Sequence, residues 1–380
     1  GIVLLVCLLF ITLILLQERQ TIRQQAAGGT IPQFSHVFVI VEENKDYKQI
    51  IGSSAAPYIN QLANQYGSAA NFVAEAHPSL PNYIALTSGN TQGIIDDCNT
   101  CFVNANSIFQ ELEQAKKTWK SYHEDMTSNC LTSDTSLYVM HHNPAAYYTP
   151  IKASCAVNDV PYSQFASDLA SNKTGNLTFI IPNNNNEMHD GTIQQGDAWL
   201  QKNLPAILNS SAYKQNGLIV LTWDEDSDSG GNNQIATILI SSLVKKGFKS
   251  SVQYNHYSLL RTLSDGLGVQ PLGLAATASP MADFFDQSAN SNPVVSGTAT
   301  ILPSPAVSLI PSPATSVSAV PNPQCLGTSC ISPVASVSAA PTLIPSVPTG
   351  ATNGSGENSG SFFQLLLLFF KALFALFGFH

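Results

Sequence analysis

Residues able to do phosphate chemistry are spaced along most of the first three quarters of this chain. Ser79 stands between two prolines in His77-Pro78-Ser79-Leu80-Pro81-Asn82-Tyr83. Proline fixes φ and disfavours helix in the residue before it, so Ser79 is expected on a stiff turn. The apolar run from Ile84 to Leu86 can open a helix there, and a helix N-terminus offers N–H groups and a positive dipole to a phosphate. Two polar pairs, Glu43-Asn44 and Asp224-Glu225, each follow a strand-like run. Carboxylates and an amide oxygen are hard ligands for Mg, Ca or Mn and acceptable to Zn. His77, His189 and His256 lie in short polar motifs. A histidine can hold a non-bridging phosphate oxygen and donate a proton to a leaving alcohol. Phosphoryl transfer needs such a set: a nucleophile, positive charge on the equatorial oxygens, and an acid. The His141-His142 pair precedes Asn143-Pro144 and reads as an ordinary turn. The run from Asn183 to Asn186 reads as a loop.

The elements that must position these residues follow from periodicity. Residues 36–41, 176–182, 218–223 and 235–241 are short β-branched apolar runs, the pattern of strands buried on both faces. Helical patterns fall between them at 56–66, 107–117, 164–170, 197–208 and 258–267. Strands alternating with helices predict an α/β/α sandwich around a mostly parallel sheet. In such sheets the ligand site lies beyond the carboxyl ends of the strands.

With 380 residues, 11% of them charged, and a net charge of −9, the chain has no electrostatic reason to bind nucleic acid. An acidic protein acting on phosphate esters needs local positive charge, most simply one bound divalent metal. Six of the seven cysteines lie outside the first apolar run, and that even number suits an oxidising compartment. Proximity suggests Cys98 with Cys101 and Cys130 with Cys155, although four cysteines allow three pairings and could instead bind zinc. Glycosylation-type sequons stand at Asn172, Asn176, Asn209 and Asn353.

Residues 1–17 are expected to be a membrane anchor or signal segment and 18–34 a tether, with the catalytic domain at 35–286. Residues 287–356 lack Asp, Glu, Lys and Arg and are rich in Pro, Ser, Ala, Val and Thr. That composition predicts a disordered stalk over 287–361. The apolar tail at 362–380 fits a GPI-attachment signal, a retained membrane helix or an interfacial helix. Together these segments predict a secreted or cell-surface, membrane-tethered protein.

The ordered motifs Val41-Glu42-Glu43-Asn44, His77-Pro78-Ser79-Leu80-Pro81-Asn82-Tyr83, Met188-His189-Asp190-Gly191, Thr222-Trp223-Asp224-Glu225 and Asn255-His256-Tyr257-Ser258 resemble those of the phosphoesterase family. That family holds the bacterial acid phosphatases and the phospholipases C of phosphatidylcholine type. Ser54-Ala55-Ala56-Pro57-Tyr58-Ile59-Asn60 and His142-Asn143-Pro144-Ala145-Ala146-Tyr147-Tyr148 add to the likeness, which covers about residues 35–285. Within the family the chain is most similar to secreted acid phosphatases, including phosphatidylinositol-3-phosphatase-like members. The resemblance implies an alkaline-phosphatase-like fold and a metal-assisted site. Glu43 and Asn44 would be metal ligands, with Asp224 and Glu225 completing the shell and Ser79 the metal-bound nucleophile. His77, His189 and His256 would surround the phosphate, and Asp190 would orient or bind nearby. Serine at the nucleophile position favours phosphatases over the phospholipases, which tend to carry threonine. The expected activity is phosphomonoester hydrolysis, possible on a membrane lipid; the alternatives are a phospholipase C-type phosphodiesterase and an inactive surface-binding protein.

Overall fold

The computed structural model describes residues 30–228 and 231–286. Eight strands form one sheet: β1 (His36–Glu42), β2 (Gly67–Val73), β3 (Trp119–His123), β4 (Asp159–Pro161), β5 (Leu177–Ile181), β6 (Gly217–Trp223), β7 (Gln234–Ile240) and β8 (Phe248–Ser250). Their order is β4-β3-β5-β1-β6-β7-β2-β8. All are parallel except β7, which runs antiparallel between β6 and β2. The predicted, mostly parallel α/β architecture is what forms.

Helices cover both faces. On one lie α1 (Pro57–Gln65) and α6 (Ile193–Asn209); on the other, α2 (Ser79–Ser88), α3 (Ile108–Gln114) and α7 (His256–Leu267). Two shorter helices, α4 (Lys152–Asn158) and α5 (Phe165–Ala170), flank the β3–β4 edge. The central strands are apolar because both faces are covered. Val37, Phe38, Val39 and Val41 of β1 and Leu218 to Leu221 of β6 have no exposed surface. Each such side chain contributes about 1.5–3 kcal/mol relative to leaving it in water, which offsets the cost of the polar groups gathered at the strand ends.

One expectation changes and one alternative falls. Ile31 and Phe34, assigned to a tether, pack in the core: the Phe34 N–H donates to Gly266 O at 2.8 Å and its ring lies 5.8 Å from that of Phe285. The domain therefore begins near residue 31. Cysteines 98 and 101 are joined, as are 130 and 155, which removes the four-cysteine zinc alternative. The expected anchor, stalk and apolar tail at 1–17, 287–361 and 362–380 lie outside the described residues. Among the described residues no helix is long and apolar enough to cross a membrane.

Candidate functional site

The register of the two central strands creates the site. Glu42 pairs with Trp223 at the last rung of β1 and β6, so Glu43 and Asp224 leave the sheet side by side. Asn44 turns the chain with a left-handed φ of 51°, which asparagine tolerates better than most residues. Its N–H donates to Asp224 Oδ1 at 3.2 Å.

Ser79 arrives from the adjacent face as the first residue of α2, after Pro78 in extended geometry. All ten residues of α2 are buried, so its N-terminus is held firmly. The Ser79 Oγ donates to Glu43 Oε2 at 3.1 Å, and the Tyr83 hydroxyl donates to Glu43 Oε1. The expected free helix N-terminus is only partly available. The Leu80 N–H already donates to Asp97 Oδ1 at 2.8 Å, and Pro81 has no N–H to offer.

The remaining predicted residues divide. Glu225, expected to complete a metal shell, faces His77 instead: its Oε2 lies 3.2 Å from His77 Nδ1 and accepts from Asn82 Nδ2 at 3.0 Å. The other His77 nitrogen is 3.2 Å from Asp226 Oδ1. Asn82 fastens this segment, its Oδ1 accepting the Glu75 and Ala76 N–H groups at 3.1 and 3.0 Å. His256 is fully buried at the start of α7, whose cap is the Asn255 side chain accepting the Ser258 N–H. Its Nε2 lies 2.6 Å from the Asp224 carbonyl oxygen, and burial pulls its pKa down to about 4. That Nε2 is committed to the carbonyl and braces Asp224, so through it His256 does not reach the phosphate that the resemblance would have it surround. His189 is different. Its side chain is 33% exposed, and its Nδ1 lies 2.8 Å from Asp190 Oδ1. That hydrogen bond holds the Asp190 carboxyl below the usual range.

One residue read as bland and two not singled out, His142, Glu187 and Lys45, lie at this site. His142, taken for part of a turn, is buried between two carboxylates: Nδ1 is 2.7 Å from Glu187 Oε1 and Nε2 is 3.5 Å from Glu43 Oε2. Burial depresses its pKa to about 3, and its ring lies 5.6 Å from that of His189. Glu187 is fixed by its backbone, since its carbonyl accepts the Glu43 N–H at 2.7 Å. Lys45 brings a half-buried ammonium, with Nζ 2.6 Å from the carbonyl of Met188. Met188 has a φ of 79°, strain that a bulky residue keeps only where its surroundings enforce it. The His142-Asn143-Pro144 motif carried the signal for His142; its neighbours in the chain hid it.

Burial and mutual repulsion raise the carboxyl pKa values here. Glu43 is pushed well up by burial, Asp224 and Glu187. Burial raises Asp224 as well, and burial, Asp224 and Asp97 push Glu225 up to about 10. Asn44 Oδ1 and Asp224 Oδ2 are buried with no hydrogen-bond donor. Buried acceptors without donors are costly, and a divalent cation satisfies both of them along with the crowded carboxylates. The oxygens of Glu43, Asn44, Ser79 and Asp224 therefore fit a hard metal ion. Ligand atoms of Glu43, His142 and Glu187 also lie within 4.8 Å of one another, a mixed set that broadens the choice to Zn.

The profile of the Phosphoesterase family matches residues 53–270. This chain belongs to the phosphoesterase family. Its class is that of the phosphoric ester hydrolases. Over 263 residues this phosphoesterase is 37% identical to the phosphatidylinositol-3-phosphatase of Mycobacterium tuberculosis, an alignment covering 68% of this chain and 85% of that one. It is 31% identical over 254 residues to an acid phosphatase of Aspergillus fumigatus, covering 63% and 56%. The phosphoesterase thus spans just over half the length of that fungal relative. A solved lipoteichoic acid synthase from Listeria monocytogenes superposes with a TM-score of 0.48 at 8% identity, over 68% of this chain and 76% of that one. A Vibrio parahaemolyticus protein of the alkaline phosphatase superfamily gives 0.46 at 12%, over 66% and 72%.

Proposed function

We propose that this phosphoesterase hydrolyses phosphate monoesters through Ser79 with the help of one divalent metal ion. The observation that carries the reading is the Ser79 hydroxyl 3.1 Å from Glu43 Oε2, beside two buried acceptor oxygens that lack donors. A cation held by Glu43, Asn44, Ser79 and Asp224 would acidify the hydroxyl and polarise the phosphoryl group. Ser79 Oγ attacks phosphorus in line and loses its proton toward Glu43. The P–O bond to the leaving alcohol breaks, and His189, oriented by Asp190, protonates the departing oxygen. The same imidazole, now neutral, takes a proton from the water that attacks phosphorus; the P–Oγ bond breaks, Ser79 Oγ recovers the proton held by Glu43, and inorganic phosphate leaves. His77, with one ring nitrogen facing Glu225 and the other facing Asp226 at 3.2 Å each, is committed to those carboxylates and takes no phosphate oxygen in this reading. The relatives' names favour an acid phosphatase, and the mycobacterial one brings a phosphoinositide within the range of substrates. The two disulfides support an oxidising, extracellular or cell-surface location.

The test is turnover by the full chain of a phosphomonoester and a matched diester at roughly pH 5–8, with and without chelator. Monoester turnover abolished by chelator and restored by metal supports the reading. Faster diester turnover moves the assignment to a phospholipase C-like enzyme, and a folded, metal-loaded protein silent on both would be a binding protein. Ser79→Ala should lower kcat by at least about 10³-fold, with little change in Tm because the hydroxyl touches only the crowded carboxylates of Glu43 and Asp224. Substantial activity in that variant would overturn the nucleophile assignment.

A further inference from the structure

Behind His142 lies a buried polar network that the reaction above does not use. The next residue, Asn143, is fully buried and donates from Nδ2 to Asp159 Oδ2 at 2.7 Å and to the Tyr138 hydroxyl at 3.0 Å. Asp159, also fully buried, opens edge strand β4 opposite Ser121 of β3. Its Oδ1 lies 3.1 Å from His123 Nε2. Its backbone carbonyl accepts the Cys130 N–H at 3.0 Å. Cys130 is bonded to Cys155, and this disulfide closes a loop over residues 130–155. Tyr138, Met140, His142 and Asn143 all lie within it. One aspartate therefore holds the loop at two points, its disulfide-bonded end and the residue after His142.

The Ser121, His123 and Asp159 side chains do not form a nucleophilic triad. A single imidazole nitrogen, Nε2, faces both the serine oxygen at 2.7 Å and the carboxylate, and all three residues are at most 1% exposed. A buried carboxylate is disfavoured unless its hydrogen bonds are made, and apolar side chains would close this edge with less loss of stability. What apolar packing cannot do is fix Asn143 in one orientation.

We propose that Asp159 is a positioning residue: acting through Asn143, and braced by the Cys130–Cys155 disulfide, it sets the His142 imidazole between Glu43 and Glu187. The proposal rests on the assignment of His142 to the phosphoester site. It makes the catalytic output of the domain depend on a disulfide remote from phosphorus, and so on the redox state of the surroundings.

A double-mutant cycle in the full chain tests it, with kcat, KM and Tm measured for each variant. Asp159→Ala should lower kcat about 10–100-fold with KM changed less than about 3-fold, as for residues that orient a functional group. Asp159→Asn, which keeps an oxygen for the Asn143 amide, should recover most of that loss. In a His142→Ala background, Asp159→Ala should cost no more than about 2-fold further, because residues acting through one another are not additive. Cys130→Ser with Cys155→Ser, or reduction by thiol, should show the same dependence on His142. Equal losses from Asp159→Ala in both backgrounds would overturn the proposal. If Asp159→Ala does not fold, Asn143→Ser breaks the same link from the loop side and takes its place in the cycle. Wild-type turnover by His142→Ala would overturn the proposal together with the role of His142, while Ser79 stands or falls on its own variant.

Discussion

At the scale of single residues, two of the histidines expected around the phosphate are separated by burial. His256 is enclosed and bound to a backbone carbonyl at 2.6 Å; His189 is partly open to solvent and held by Asp190. The distinction has a chemical signature. An acid matters in proportion to how poor the leaving group is. His189→Ala should therefore reduce turnover of an alkyl phosphate about 10²–10³-fold and that of a nitrophenyl phosphate about 10-fold or less. Asp190→Asn should act in the same direction with a smaller effect. His256→Ala, by contrast, should weaken both substrates alike by loosening Asp224. Equal sensitivity of the two esters to His189→Ala would remove it from the role of acid. Among the residues that a reader of sequence would choose, Ser79, Glu43, Asn44 and Asp224 do gather at one point. His142 and Glu187 were passed over because a histidine pair before Asn-Pro reads as a turn despite the motif that follows it; only the fold buries His142 and brings Glu43 and Glu187 to it.

At the scale of elements, the loop from Asn183 to Gly191 shows how a polar stretch becomes a rigid holder. Asn183 Oδ1 accepts the Asn185 and Asn186 N–H groups at 3.1 and 2.9 Å. Asn184 Nδ2 donates to Asp190 Oδ2 at 2.7 Å, and the Asp190 N–H returns to Asn184 O at 2.9 Å. The run of asparagines thus builds the loop that carries Glu187 and His189. Gly191 seals it, since a Cβ there would sit 1.9 Å from Asn185 O. Gly191→Ala must displace this loop, and with it His189 and Asp190. Its kcat should fall about 10-fold or more, with a loss of Tm as well because Met188 of this loop is buried in the core; unchanged kinetics would mean that the loop geometry is irrelevant. The strands tell a parallel story. The four read from sequence are the continuous apolar runs that become β1, β5, β6 and β7. The four missed are Gly-Ser-Ala-Ala-Asn-Phe-Val, Trp-Lys-Ser-Tyr-His, Asp-Val-Pro and Phe-Lys-Ser. They lie toward the sheet's flanks, are short or polar, and exist because a neighbouring strand supplies hydrogen bonds. Periodicity registers burial, and a flanking strand that keeps polar side chains gives it little to register.

For the whole molecule, the crowded acids make stability a test of the proposed metal binding. Glu75 titrates near 8 in the folded protein because it is buried, and Glu225 near 10, against about 4.3 in an unfolded chain. Between those values the folded state keeps a proton that the unfolded state has lost, so stability falls as pH rises. Burial raises Glu42, Glu43, Glu187 and Asp224 in the same direction. His141, His142 and His256 oppose this. Their folded values near 4, 3 and 4 lie below the unfolded 6.5 or so, so they add stability as pH rises, a gain whose slope has halved at about pH 6.5 and fades over the next pH unit. Above about pH 6.5 the acids dominate. In chelator, Tm should therefore decline from about pH 6.5 to 8, against the usual trend toward a neutral optimum. A bound divalent cation requires ionised carboxylates, which removes the protons that cause the decline. The Tm gained on adding saturating Mg or Mn should then grow across the same interval, while Asp224→Asn, which removes one carboxylate, should flatten the decline in chelator and shrink the gain. A metal effect on Tm that is constant with pH, or a chelated protein that becomes more stable above pH 6.5, would show that the raised carboxyls at the ends of β1 and β6 do not bind a cation.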